Sequence, residues 1–196
     1  SLKINIVIGD IRDQEKLEKT AKDCDVIYHT AAQVAVTTSV KNPREDFEIN
    51  MVGTFNVLEA ARKNDCGVIF CSTNKVYGNN VNSIPIIEKE KRYEFDKKYS
   101  NGVTEDFSID AKEHTPYGSS KLAADQYVRD YAEIYHVPTV VNRLSCIYGL
   151  HQFGTTDQGW VVHFIRSAIF KKPLTIYGDG KQVRDILFIS DLVKLF

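Results

Sequence analysis

The sequence has no charge of either sign to spare and no long apolar run. Its 25 Lys and Arg are matched by 26 Asp and Glu, a net charge of -1 with an isoelectric point near 6.5. It therefore offers no basic face of the kind nucleic acid requires. No apolar stretch approaches the roughly 20 residues that cross a bilayer as a helix, which excludes a membrane partner of that type. Cysteine is sparse: Cys24, Cys66, Cys71 and Cys146 lack the paired spacing of a metal site, and the five histidines are dispersed. No metal centre is expected, and scattered thiols point to a reducing, cytoplasmic compartment. No signal peptide, internal repeat or low-complexity segment is visible. The partners left are small molecules and further copies of the chain, so a homo-oligomer is expected. The chain opens without Met in a strand-like run, so part of its N-terminal side is expected to be missing.

What is present is enough apolar residue, 43% of the 196, to bury a core. Residues 3–8 read as a strand, followed by a loop from Gly9 and a helix through Lys22. Residues 25–29 read as the next strand, and a helix from near Pro43 to Asn64 carries Phe47, Met51, Phe55 and Leu58 on one face. Residues 67–72 are a third strand. About forty residues of weak periodicity follow before Pro116, longer than most loops in a compact domain and placed where excursions often cover a site. A helix from Tyr117 to His136 leads to a strand at 138–143 and a loop at 144–149. Then come a helix at 158–171, strands at 174–177 and 184–189, and the start of another helix. Strand–helix alternation of this kind means an α/β fold with a parallel sheet, and in such sheets ligands bind beyond the carboxyl ends of the strands.

Tyr-x-x-x-Lys occurs three times, at Tyr93/Lys97, Tyr117/Lys121 and Tyr177/Lys181. Residues four apart share one helix face, so a phenol and an ammonium there can address one small group. Tyr93 lies in a charge-alternating surface stretch and Tyr177 in a glycine turn. Only Tyr117 follows a proline suited to a first helical turn and precedes an apolar stripe of Ala124, Tyr127, Val128, Tyr131 and Tyr135. Thr73, at the end of the third strand, can bring a hydroxyl to the same edge, which makes an acid–base constellation. A helix whose Tyr and Lys do no chemistry, and a Thr73 that merely caps backbone, remain open at this point.

Gly9-Asp10-Ile11, His29-x-Ala31-Ala32, Asn50-x-x-Gly53-Thr54-x-Asn56-x-Leu58-Glu59-Ala60, Ser72-Thr73-x-x-Val76-Tyr77-Gly78, Pro116-Tyr117-x-x-Ser120-Lys121 and residues 178–185 come in a fixed order along nearly the whole chain. In this combination the chain resembles the extended short-chain dehydrogenase/reductase family of NAD-dependent nucleotide-sugar epimerases and dehydratases. The resemblance implies a Rossmann-type doubly wound sheet over residues 1–149, part of a smaller α/β substrate domain over 150–183, and a return toward the first domain over 184–196. It implies NAD as cofactor and a nucleotide sugar as substrate. Tyr117 is then the base and acid, Lys121 holds the nicotinamide ribose and favours the phenolate, and Thr73 binds the reacting oxygen. Asp10 and Ile11 would meet adenine, Ala31, Ala32 and Gln33 the cofactor through backbone, and Ser72 the nicotinamide side. Asn50 suggests a buried hydrogen-bonding role beside the cofactor. Asn74, Lys75, Gln152 and Gln158 are candidate substrate contacts, as is Trp160, for which plain packing is an equal reading. Arg184 is a candidate clamp for the diphosphate.

Residues 72–78, 123–127, 152–153 and 157–161 resemble family members that invert carbon 2 of a CDP-linked deoxyhexose. A 4-epimerase acting on a UDP-sugar, a 4,6-dehydratase and a non-catalytic nucleotide-binding module are the alternatives. Dehydratases carry Asp-Glu after the threonine, where Asn74-Lys75 stand here. The family's Gly-x-x-Gly-x-x-Gly loop, which cradles pyrophosphate at a helix N-terminus, has no counterpart in residues 1–196. The expectation is therefore an internal fragment, with its first strand–helix–strand and the end of the substrate domain outside it, that binds NAD poorly and is inactive by itself.

Overall fold

A computed structural model describes residues 4–110 and 113–196. By contacts the chain forms two units, residues 1–76 with 114–143 and residues 77–113 with 144–196.

The first unit is built on a three-stranded sheet of β1 (Val26–His29), β2 (Gly67–Thr73) and β5 (Thr139–Leu144), in the order β1-β2-β5. β1 and β2 run parallel, with Val26 opposite Gly67 and His29 opposite Phe70. β2 is central, so Val68 and Phe70 are wholly buried. Helix α1 (Gln14–Thr20) is capped by the Asp13 carboxylate, which accepts from the Lys16 amide. A short helix absent from the sequence reading, α2 (Val36–Lys41), precedes the long one. That long helix is not uniform: α3 (Pro43–Phe47) passes through a π turn (Glu48–Val52) into α4 (Gly53–Asn64). Asn42 accepts from the Glu45 amide, Pro43 opens the first turn, and Glu45 and Asp46 lie at the positive end of the helix.

The π turn inserts extra length into the helical repeat and re-phases the face. The expected apolar stripe is corrected accordingly. Met51 and Leu58 are buried but Phe47 and Phe55 are exposed, and the inward face is Asp46, Asn50, Thr54, Val57, Leu58 and Ala61. Helix α5 (Thr115–Tyr135) buries Tyr117, Ser120, Lys121, Ala124, Asp125, Val128 and Tyr131. Of its expected stripe, Tyr127 and Tyr135 stay exposed. The core joins Val57, Leu58, Ala60, Ala61, Val68, Phe70, Ala124, Val128, Tyr131 and Val137.

The second unit, from Tyr77, holds most of a 3-10 segment (Asn74–Ser83) broken at Gly78, an antiparallel hairpin of β3 (Ile86–Glu88) and β4 (Tyr93–Phe95), and a 3-10 turn (Lys97–Tyr99). Gly78 has φ 54 and ψ -146, a conformation open only to glycine. β6 (Cys146–Tyr148) pairs in parallel with β7 (Ile186–Phe188), and helices α6 (Trp160–Ile169) and α7 (Ile189–Leu195) complete it. The hairpin is tied to the 177–181 turn by Tyr93, whose hydroxyl donates to Asp179, and by Lys181, which pairs with Glu88 at 2.6 Å.

Three expectations about strands fail here. The loop expected at 144–149 contains β6. Residues 174–177 form no strand, and residues 4–8 form none either, with Ile8 87% exposed; Lys3 lies outside the described residues. A strand needs a partner for its backbone groups. β6 finds one in β7, whereas the other two runs have none among the described residues.

A buried carboxylate, Asp125, helps hold the first unit together. Asp125, fully buried, takes both Arg143 contacts at 3.0 Å and the Ser72 hydroxyl at 2.7 Å. Removing it would take the carboxylate from the mostly buried Arg143 guanidinium and the acceptor from the Ser72 hydroxyl, so Asp125→Ala is expected to cost the whole protein about 3–5 kcal/mol in denaturant unfolding. A loss below about 1 kcal/mol, the scale of a surface pair, would contradict this reading.

Candidate active site

β2 and α5 place the chemistry. β2 ends in Ser72-Thr73, and α5 begins at Thr115 with Tyr117 in its first turn and Lys121 one turn on. The Tyr117 amide donates to the Ser39 hydroxyl at 3.1 Å, and Gly118 donates to Thr115 Oγ1, so the orphan donors of this helix end are met by side chains. Thr73 is 8% exposed and Tyr117 9%. The Thr73 hydroxyl hydrogen-bonds the Tyr117 phenol. The expected pairing of hydroxyl and phenol is present.

Lys121 is 3% exposed. Its ammonium donates to the Cys71 carbonyl at 2.8 Å and lies 4.1 Å from the centre of the Phe70 ring. That carbonyl takes one of three donors. Burial pulls its pKa down to about 8, against smaller opposing pulls from Cys71, Asp125 and Asp46. The phenol moves the other way: burial raises it above the ordinary 10, the Thr73 hydrogen bond lowers it, and Asp46 raises it again. The resemblance implies help from Lys121 toward the phenolate; the charge of Lys121 is felt by His29 and Cys71. The chain by itself keeps Tyr117 protonated.

Behind these groups lies a buried polar knot. Asn50 Oδ1 accepts from the Gln33 amide at 2.9 Å while Asn50 Nδ2 donates to the Gln33 carbonyl at 3.1 Å and to Ser120 Oγ at 3.2 Å. Asn50 thus has the buried hydrogen-bonding role expected of it, and holds the strand-end loop at Gln33 against α5. Thr54 donates to the Asn50 carbonyl at 2.6 Å, so its oxygen must accept from His29, 2.9 Å away, and His29 carries its proton on Nε2. Burial, with Lys121 nearby, pushes His29 down to about 3, so it stays neutral. Ser72 turns its hydroxyl to Asp125.

The loop at residues 9–12 is fixed by two residues to which the sequence reading gives no role. Asn56 donates to the carbonyls of Ile11 and Arg12 at 3.1 and 3.2 Å. Gly53 lets Ile11 approach so closely that a Cβ there would lie 2.4 Å from its side chain. Asp10 is exposed and held in the fork of Arg12. Ala31 and Ala32 leave the backbone at the end of β1 uncovered by large side chains. Asp46, Ser39 and Ser120 also escape a reading by sequence; each serves by hydrogen bonds to segments far away in the chain, for which periodicity gives no signal.

Asn74 and Lys75 are exposed just beyond Thr73. The other expected substrate contacts belong to the second unit. There, Gln152 donates to the Ile147 carbonyl at 3.0 Å and its Oε1 is buried with no hydrogen-bond partner among the described residues. Gln158 closes a turn with Thr155, Trp160 packs edge-on against Phe164, and Arg184 is exposed with one contact to the Val183 carbonyl. No cluster of three or more His, Cys, Asp or Glu among the described residues is arranged to hold a metal. No helix among them is long and apolar enough to cross a membrane.

A parallel α/β sheet with a threonine, a tyrosine and a buried lysine at its carboxyl edge defines the class of Rossmann-type NAD-dependent enzymes. The chain belongs to the NAD dependent epimerase/dehydratase family, which it matches over residues 1–196. It is 47% identical to CDP-paratose 2-epimerase of Salmonella typhi over 97% of this chain and 58% of that protein. UDP-N-acetylglucosamine 4-epimerase from Methanobrevibacter ruminantium superposes with a TM-score of 0.81 and 26% identity, over 97% of this chain and 55% of the other. UDP-glucose 4-epimerase of Thermus thermophilus, solved with NAD, gives 0.75 and 28% over 95% and 57%. The chain spans about half the length of the relatives it matches.

The residues present suit the nicotinamide-ribose half of such a cofactor: small side chains at Ala31 and Ala32, a buried ammonium with donors to spare, and a phenol beside it. No segment of residues 1–196 offers the glycine-rich turn that would suit the pyrophosphate.

Between about pH 8 and 10.5 the unfolded chain binds a proton that folded Lys121 has released, so this group's contribution rises with pH there, and its cost is complete below pH 8. Lys121→Met is therefore expected to raise stability at pH 7 by up to roughly 3 kcal/mol while abolishing turnover, the gain vanishing toward pH 10.5. Melting temperature against pH checks this; a variant less stable than wild type at pH 7 would contradict it.

Proposed function

We propose that the protein is an NAD-dependent epimerase of a nucleotide-diphosphate sugar, inverting carbon 2 of a CDP-deoxyhexose through a transient ketone. The observation that carries the reading is the buried Tyr117 phenol in hydrogen bond with Thr73, with Lys121 one helical turn away. Bound NAD would supply a hydride acceptor that later returns the hydride, and a positive ring that favours the phenolate. Tyr117 takes the proton from the substrate hydroxyl and gives it back after the sugar has turned its other face. Thr73 hydrogen-bonds the same oxygen and keeps it in line with the phenol. Lys121 holds the ribose hydroxyls, and Asn50 sets the loop against which the cofactor lies. Asp10 and Ile11 receive the adenine end, Ala31, Ala32 and Gln33 present backbone, and Ser72 backs the nicotinamide side. Asn74, Lys75, Gln152 and Gln158 contact the substrate, and the exposed fork of Arg184 suits its diphosphate.

Residues 1–149 serve the cofactor, 150–183 the sugar nucleotide, and 184–196 lead back to the cofactor part. The intact protein works as a homo-oligomer in the cytoplasm, in polysaccharide synthesis.

Carbon 2 and the CDP group rest on the likeness to the Salmonella typhi protein. The likeness to UDP-sugar 4-epimerases favours a second reading at carbon 4, because the triad fits either carbon. Dehydration is disfavoured: the position after Thr73 holds Asn74-Lys75, and a lysine does not replace a carboxyl pair as proton donor and acceptor.

The test uses the whole protein with NAD and two substrates, CDP-paratose deuterated at carbon 2 and UDP-glucose deuterated at carbon 4. Epimer formed from the CDP-sugar with the label retained is the expected result. Turnover confined to the UDP-sugar moves the reading to carbon 4, and label lost to water overturns hydride return altogether.

A further inference from the structure

Asp46, in the first turn of α3, is 1% exposed, yet among the described residues none of its hydrogen bonds comes from a cation. Oδ1 accepts from Gln33 Nε2 at 2.7 Å and from Asn50 Nδ2 at 3.1 Å, and Oδ2 accepts from Ser120 Oγ at 2.6 Å. These donors come from the loop after β1, the π turn and the second turn of α5. Gln33 also spans Ala35, with Nε2 on its carbonyl and Oε1 on its amide, so its side chain is fixed at both ends. Ser120 is on the same helix as Tyr117 and immediately precedes Lys121.

An acidic side chain at a helix start ordinarily lies in water and answers the helix dipole. Burying one among neutral donors is costly, and an apolar or amide residue would pack the same space more cheaply. An asparagine would not reproduce the pattern unchanged: with its oxygen kept for Gln33 and Asn50, its amide would donate to Ser120, whose hydroxyl would then turn from position 46 to the Tyr117 carbonyl, 3.1 Å away.

We propose that Asp46 is a positioning residue for the chemistry at Tyr117, locking the loop after β1 to the start of α5 through a single buried carboxylate. This rests on the function proposed above for the same site. Asp46 acts through Ser120 and Gln33, setting where the phenol and the ammonium stand relative to the strand-end loop. Its negative charge also opposes phenolate formation. The titratable and charged groups around the pair are Asp46 from α3, Cys71 from β2, His29 from β1, and Lys121 and Asp125 on α5 itself. Among them Asp46 is the charged group whose field reaches both Tyr117 and Lys121.

The test compares wild type, Asp46→Asn and Ser120→Ala in the whole protein. Asp46→Asn is expected to lower kcat about tenfold to a hundredfold at unchanged KM for the nucleotide sugar, since misplacement by a fraction of an ångström costs that much. The acid limb of its kcat/KM profile moves to lower pH, because the phenolate no longer forms beside a negative charge. Ser120→Ala cuts the link to α5 but keeps the charge, so kcat falls and the limb stays. A merely structural residue would move neither the limb nor the split between kcat and KM. The Tyr117 phenol is also titrated by ultraviolet difference against matching Tyr117→Phe variants, a readout that needs no turnover. Its midpoint falls in Asp46→Asn. A folded Asp46→Asn with wild-type kcat and an unmoved midpoint overturns the proposal. If that variant does not fold, wild-type kcat in Ser120→Ala overturns it. Wild type that turns over no nucleotide sugar sinks the functional reading alone, and the phenol titration then decides for Asp46.

Discussion

Everything at the candidate site hangs on the insertion of one amide, Asn50, between two segments that share no backbone ladder. Gln33 gives it both an N–H and a C=O, and Ser120 and Asp46 take its second donor. Loops at strand ends are ordinarily the mobile parts of a fold. Here the loop that follows β1 is pinned to α5, which carries Tyr117 and Lys121, by a side chain buried to 1% exposure. Asn50 lies within the π turn at Glu48–Val52, and Asp46 and Asn50 are each 1% exposed on the inward face while Phe47 is exposed. Such turns are found mostly where function has a use for them.

Around this knot the protein sets electrostatics against stability. Burial costs the charged forms of Lys121 and His29, lowering the ammonium to about 8 and the imidazole to about 3, and Tyr117 is held protonated by the same burial. Each is a poor choice for a core and a sensible one for the proposed site, which would bind a positive ring and then release a proton. The stability is recovered elsewhere: in the apolar contacts of Leu58, Val68, Phe70 and Val128, and in the Asp125–Arg143 pair that fixes Ser72 next to Thr73. The site is thus strained electrostatically but rigid mechanically, the combination that transition-state stabilisation by fixed groups requires.

How much of this is legible in the sequence follows from the range of the interaction. Tyr117, Lys121 and Thr73 stand out because helical spacing and the end of an apolar strand are local patterns, and the family's ordered motifs name the same residues. Asn50 is conspicuous as a polar residue on an apolar face, and the structure gives it that buried role. Asp46 is not: an acid in a first helical turn has an ordinary explanation, and its partners lie 13 and 74 residues away. Ser39 and Asn56 escape for the same reason. The runs at 4–8 and 174–177 have strand-like composition, but a strand exists only with a neighbour. β6 reads as loop because its neighbour, β7, comes 40 residues later.

In the proposed chemistry the chain places Tyr117 and burial keeps it protonated, and a bound positive nicotinamide would make it a base. The most direct measurement is the titration of the Tyr117 ring carbon by NMR in whole protein labelled with carbon-13 tyrosine, with NAD removed and then restored, and Tyr117→Phe for assignment. The expected midpoint lies above 10 without nucleotide and falls markedly when NAD is bound. A midpoint near neutrality in the nucleotide-free protein, or one that NAD leaves in place, would contradict it.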